Sequence, residues 1–154
     1  MRVWRLTRAP FARTPFDGVG PARGGGRWNS RGLYVAYAAS SRSLAILEVL
    51  VHIDRALAPT DYVFIEAEIP DDAIVDLDMR GLPKRWRAEP PPTKLRAIGD
   101  RWIRSSESLA LRVPSVIVPE EMNVLLNPRH PRAAELRIIG RPKAVILDSR
   151  LVHE

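Results

Sequence analysis

The stretch from Leu33 to Arg55 leaves this chain few ways to fold. Leu33 to Ala38 reads as a short strand carrying Tyr34 and Tyr37. The pattern then changes period, and Ser40 or Ser41 can cap a helix that runs to about Arg55. Leu44, Ala45, Ile46, Leu47, Val49, Leu50, Val51 and Ile53 make that helix apolar nearly all round, so it is expected to be buried on most sides. It carries one carboxylate, Glu48, on the face that holds Leu44, Leu47 and Val51. A carboxylate in apolar surroundings must be paired, hydrogen-bonded or neutralised. In one reading Glu48 locks the helix to a nearby arginine; in the other it serves a ligand or a reaction.

Upstream, residues 9–32 hold Pro10, Pro15, Pro21 and six glycines and read as a long loop. Within it Gly24-Gly25-Gly26 leads into Arg27-Trp28-Asn29. Glycines let backbone approach a ligand closely, and an arginine fork beside them suits a phosphate or diphosphate. The run is not a P-loop, because no Gly-Lys-Ser/Thr follows, and it lacks the strand and helix of a dinucleotide fingerprint. A solvent loop is the plainer reading. Tyr37 stands eleven residues before Glu48, so strand and helix can fold back and bring both to one cleft. There a tyrosine either stacks on a flat heterocycle or plugs the core. Tyr34 is expected on the opposite sheet face.

Elsewhere Val3 to Leu6, Tyr62 to Ile69, Ile74 to Leu77, Ser115 to Val118 and Ala144 to Leu147 read as strands. Residues 81–92, with Gly81, Pro83 and three consecutive prolines, read as a surface excursion, and 123–131 as irregular. Thr93 to Ser105 reads as a helix with Leu95, Ile98, Trp102 and Ile103 on one face and arginines on the other. The sum is an α+β fold, a mainly antiparallel sheet core with flanking helices, in one domain over residues 1–154. Ser115, at the start of a buried strand, and Asn123, beside Val124-Leu125-Leu126, both need hydrogen-bond partners. No Gly-x-Ser-x-Gly elbow is present, so Ser115 reads as a hydrogen-bonding residue rather than an acylated nucleophile.

Composition narrows the chemistry. With no cysteine there is neither a disulfide nor a thiolate metal site, which fits a reducing cytoplasm. His52, His130 and His153 lack ligand spacing, so no metal is expected. No apolar window reaches the length of a membrane span and no h-region follows Met1, so neither a span nor a signal peptide is expected. The net charge is +6, and 21 of the 24 basic residues are arginine, which points to a polyanion, a phosphate-bearing ligand or an acidic protein partner. Solvated arginines are the blander account.

Gly25-Gly26-Arg27-Trp28-Asn29, Tyr37 with Leu44 to His52, Pro114 to Pro131, and the closing Leu147 to Leu151 together resemble the RES domain family of bacterial toxins, named for an arginine, a glutamate and a serine. The resemblance implies a fold similar to that of ADP-ribosyltransferases and an enzyme that degrades NAD⁺ by hydrolysis or phosphorolysis. It implies Arg27, Tyr37, Glu48 and Ser115 as the catalytic set, with Trp28, Asn29 and Asn123 as further NAD⁺ contacts. NAD⁺ would be the substrate, with inorganic phosphate a possible co-substrate (Arg5 and Arg31 are candidates to admit it) and no cofactor. The implied partner is an Xre-type helical DNA-binding antitoxin that blocks the cleft in a hetero-oligomer. One alternative is transfer of ADP-ribose to a macromolecule. Such transferases often carry a second carboxylate two residues from the first, whereas Ile46 and Leu50 stand there. Another is a basic nucleic-acid-binding or RNA-cleaving protein using the arginines of 94–112, although no aromatic-interleaved RNA motif or DNA-reading helix is evident.

Overall fold

The computed structural model describes residues 1–53 and 59–152. They form β1 (Arg2–Arg8), α1 (Val19–Gly24), β2 (Ala36–Ala39), α2 (Arg42–Leu50), β3 (Tyr62–Glu68), β4 (Ile74–Asp76), α3 (Thr93–Ser105), β5 (Ala110–Pro114), β6 (Met122–Leu126), β7 (Arg137–Val145) and α4 (Ser149–Val152). The strands join in one sheet of order β4-β5-β6-β2-β1-β3-β7, in which β4 and β5 run parallel and the other neighbours antiparallel. The α+β architecture with a mainly antiparallel sheet is therefore the observed one.

β1 pairs with β3 along its whole length, from Arg2 opposite Glu68 to Arg8 opposite Tyr62. With β2 it pairs at one position, Trp4 opposite Ala39. The centre of the sheet thus has a seam where two neighbouring strands part. Because opposed residues share a face, Trp4 and Leu6 of β1, Tyr37 and Ala39 of β2, and Asn123 and Leu125 of β6 look to the same side. Two helices cover that side. α2 seats Leu44 and Ala45 on Leu6, Ala39 and Tyr62, and α3 seats Leu95, Trp102 and Ile103 against Trp28, Val35, Leu111 and Leu125. The opposite side, with Val3, Ala36, Ala38, Ile65 and Val124, is closed by Phe16, Ile69, Ala73 and Leu109.

Several elements differ from the expectations, for local reasons. α2 starts where Ser41 accepts the Leu44 N–H at 3.1 Å and ends at Leu50; residues 54 and 55 of the expected helix lie outside the described residues. Only Leu44 and Ala45 of it are fully buried, and Val51 is 57% exposed, because the helix lies on the sheet with its outer side uncovered. The expected loop 9–32 contains α1, which begins after Gly18 at φ 70°. The expected strand Leu33 to Ala38 narrows to β2. Ser115 to Val118 is a turn, not a strand, because the Ser115 Oγ accepts the N–H groups of Ile117 at 3.1 Å and Val118 at 3.2 Å and so competes with a ladder. The strand there is β6, paired on both sides, and Asn123 lies in it rather than in an irregular segment. The expected last strand is the end of the longer β7, an edge strand whose arginines, lysine and proline hide its period and guard the edge.

Candidate active site

A cavity of about 250 Å³ opens on the β1–β2 seam. β1 lends it Trp4, Arg5 and Leu6, β2 lends Tyr37 to Ala39, α2 lends Ala45, Glu48 and Val49, and His52 and Asn123 complete it.

Glu48 reaches it from the half-buried face of α2. Its Oε1 accepts a hydrogen bond from the Ser115 hydroxyl at 2.8 Å and another from the Asn123 side-chain amide. Among the described residues no cation forms an ion pair with it. Neutral donors fix the carboxylate without cancelling its charge, so its negative field stays available to a ligand. Ser115 is fully buried and already saturated: it donates to Glu48 and accepts from two backbone N–H groups. That arrangement orients Glu48 and leaves the serine no role as a nucleophile.

Tyr37 forms another wall. Its hydroxyl donates to the Asn29 Oδ1 at 2.8 Å and accepts the Trp28 N–H at 3.2 Å. Burial pushes the phenol far above its ordinary range, so the ring stays neutral and serves as surface and hydrogen-bond hub. Asn29 has no exposed surface, and its amide nitrogen donates to the carbonyls of Pro21, Ser30 and Leu33, which ties the glycine loop into a knot. A Cβ at Gly26 would stand 2.6 Å from the Tyr37 hydroxyl and 2.7 Å from the Asn29 Oδ1. The glycine is thus required by the tyrosine–asparagine pair itself. Tyr37→Phe leaves the buried Asn29 oxygen and the Trp28 N–H unsatisfied, which costs about 1–3 kcal/mol. The expected result is a Tm lower by roughly 2–12 °C; an unchanged melting curve would show that this bridge does not hold the loop.

The other expected residues fall in different places. Trp28 is 3% exposed and packs under α3, so Trp28 and Asn29 support the cavity wall from behind. Arg27 is turned away from the cavity lining: its guanidinium donates to the carbonyls of Trp86 at 3.0 Å and Ala88 at 3.2 Å and pairs with Glu89 at 3.0 Å. Tyr34 lies beneath the Arg129 guanidinium, 3.6 Å from its ring centroid, so Tyr37 is the cavity's tyrosine. Arg31 is exposed, its Nε donating to the Gly24 carbonyl at 3.4 Å. Sequence reasoning did not single out Trp4 or His52 as cavity residues. Alternation in β1 assigns Trp4 a face but not what stands over it, and His52, one turn after Glu48, closes the Leu44–His52 segment with no feature that marks it as a cavity residue. Among the described residues no cluster of three or more histidines and carboxylates could hold a metal.

Residues 2–148 match the RES domain. The chain belongs to the RES domain family. Its relatives include a protein named Toxin Res from Yersinia enterocolitica serotype O:8 / biotype 1B, 38% identical over 98% of this chain and 99% of that protein. Toxin Res from Photorhabdus laumondii is 43% identical over 83% of this chain and 82% of its own length. The Prs ADP-ribosylating toxin of Sphingobium sp. strain YBL2 is 40% identical over 98% of this chain and 96% of its own. Among solved structures, a chain of the M. tuberculosis MbcT–MbcA toxin–antitoxin complex superposes with a TM-score of 0.74 at 22% identity, over 98% of this chain and 86% of that one, which shows a shared fold. In this RES domain the glutamate and the serine touch directly, whereas the arginine is held by residues 86–89.

Proposed function

We propose that this RES domain is a toxin that depletes NAD⁺ by breaking the bond between nicotinamide and ribose, and that an antitoxin restrains it. One observation carries the reading: a carboxylate fixed by two neutral donors on the wall of a cavity with tyrosine and tryptophan beside it. When the C1″–N bond breaks, its electron pair returns to the pyridinium ring, nicotinamide leaves neutral, and no general acid is needed. Positive charge then develops on the ribose, as in other oxocarbenium-like transition states. Glu48 supplies the opposite charge, held still by Ser115 and Asn123 so that little reorganisation is required. Tyr37 and Trp4 offer flat surfaces for the ring and sugar. A water oxygen bonding to C1″ gives ADP-ribose and releases a proton; inorganic phosphate in its place gives the 1″-phosphate.

The cavity, at about 250 Å³, is just below the roughly 300–1,000 Å³ of ligand pockets, so it suits the nicotinamide-riboside half, with the adenylate half lying outside the mouth. Arg27 stands off the lining with its fork on residues 86–89, so it meets a diphosphate only by giving up Glu89, which is 77% exposed. The names of the relatives and the complex that holds the structural neighbour support an antitoxin partner. Val51, exposed just past the end of α2, together with the half-buried Leu47 and Leu50 offers an apolar seat for a helical antitoxin segment of the Xre-associated kind. No described helix is long and apolar enough to cross a membrane.

Transfer of ADP-ribose to a macromolecule is the second reading, favoured by the name of the Sphingobium relative. Ile46 and Leu50 flank Glu48 at two residues' distance, so no second carboxylate is at hand to activate an acceptor. Incubating the purified chain with labelled NAD⁺, with and without phosphate, and identifying products by mass spectrometry separates these outcomes. Free ADP-ribose or its 1″-phosphate with stoichiometric nicotinamide is the expected result. Label on a macromolecule favours transfer, and intact NAD⁺ overturns both.

A further inference from the structure

Arginines along the sheet are neutralised where they stand: Arg2 and Arg42 by Glu66, Arg8 by Asp61, Arg112 by Asp76 and Arg137 by Glu68. Residues 81–106 differ. They hold seven cations against two carboxylates, which is most of the net charge of +6. Neither carboxylate is free: Glu89 is taken by Arg27, and Asp100 is 7% exposed and accepts the Ser30 N–H. The excess gathers on the outer side of α3. Steps of three and four residues line up Lys94, Ala97, Arg101 and Arg104 on one exposed stripe, opposite the buried Leu95, Trp102 and Ile103. Among the described residues none of its three cations forms an ion pair. Lys94 even stands in the first turn, where the helix macrodipole disfavours a cation. At 1.5 Å per residue the stripe is about 15 Å long.

We propose that this face of α3 is a sequence-independent docking surface for the phosphate backbone of duplex nucleic acid. The length of the stripe matches about four phosphates of one strand at roughly 3.4 Å each. Unpaired guanidinium forks suit phosphate oxygens. What the face lacks selects among polyanions. Its one apolar member is Ala97, so it has no anchor for the core of a protein interface and nothing to insert into a lipid surface. Trp102 is buried and Trp86 is half-buried against the α3 core, so neither is free to stack a single-stranded base. Contacts then go to phosphates, which position a duplex without reading its bases. The cavity lining includes no residue of α3, so this surface and the proposed NAD⁺ site are separate, and either stands without the other.

The unaltered chain is titrated into a short fluorescent DNA duplex of mixed sequence, with anisotropy read at several salt concentrations. The expected Kd at physiological salt is about 10⁻⁴–10⁻⁶ M, and log K should fall against log salt with a slope of about −3, as when three phosphates are neutralised. Lys94→Gln combined with Arg101→Gln removes two cations and keeps a good helix former at both exposed positions. That double variant should weaken binding about tenfold and flatten the slope by about two. Arg141→Gln combined with Lys143→Gln makes the same change in net charge on exposed positions of β7, and should bind like the unaltered chain. Equal losses in the two double variants would show that net charge alone attracts DNA, and would overturn the proposal. So would a failure of the unaltered chain to bind. Poly-glutamate or phosphatidylglycerol vesicles that bind more tightly than the duplex, and lose that binding in the α3 variant, would give the face to an acidic protein or a membrane instead.

Discussion

Glu48→Gln should lower kcat for NAD⁺ cleavage by about 10²–10³-fold, the range seen when one preorganised electrostatic group is removed from a transition state. The substitution isolates charge from shape. A glutamine carbonyl can still accept from the Ser115 hydroxyl and the Asn123 amide, so α2, the 115–118 turn and β6 remain joined. What disappears is the negative field beside the forming oxocarbenium ion. Because that cation exists only in the transition state, the loss should fall on kcat and leave KM nearly unchanged. Growth arrest on expression should vanish in parallel. The competing account makes Glu48 a structural peg for two buried polar groups. It predicts wild-type turnover in Glu48→Gln, with harm appearing only in Glu48→Ala through lost hydrogen bonds and a lower Tm. Nicotinamide release measured beside a melting curve distinguishes the two, and full activity in the glutamine variant would remove Glu48 from the chemistry.

The sequence made the glutamate conspicuous because one acid among eight apolar neighbours breaks a pattern. The pattern also carried the sheet-and-helix architecture, the α3 face built on Leu95, Trp102 and Ile103, and the strand Tyr62–Glu68. It could not carry partners. Ser115 and Asn123 lie 67 and 75 residues beyond Glu48, and their meeting depends on β5 and β6 pairing beside β2. Ser115 misled for a local reason: a serine between apolar residues satisfies the strand pattern, yet its hydroxyl captured two backbone N–H groups and made a turn. Arg27 was legible as a cation on a glycine loop, but not as one whose fork is taken by carbonyls of residues 86 and 88. Arg5 and Arg31 stand alike in the sequence as candidates to admit phosphate, yet Arg5 lines the cavity and Arg31 is exposed.

Gly99 is the clearest case of a residue whose importance arises from tertiary contact, and Gly99→Ala carries the largest expected effect on stability. In an isolated helix the change would help, since alanine exceeds glycine in helix propensity by about 1 kcal/mol. Here the Trp28 backbone carbonyl lies against the glycine, and an added Cβ would stand 1.8 Å from its oxygen. Neither partner can swing aside, because one is helix backbone and the other is backbone of a loop fixed on both flanks. Arg96 donates to the Gly26 carbonyl at 3.1 Å, Asp100 accepts the Ser30 N–H at 2.8 Å, and Asn29 is hydrogen-bonded without any exposed surface. α3 must therefore lift from the loop, and the packing of Trp28 against Trp102 and Leu95 goes with it. Overpacking costs typically about 1–3 kcal/mol, and a backbone-on-backbone clash belongs at or above the upper end. A net loss of about 3 kcal/mol lowers the Tm of a chain this size by roughly 6–12 °C. Since the loop also supports Tyr37, activity should fall at temperatures where the variant is still folded. An equal or higher Tm would mean that helix and loop separate freely, and the cavity wall would then lack the rigid backing that its electrostatic role demands.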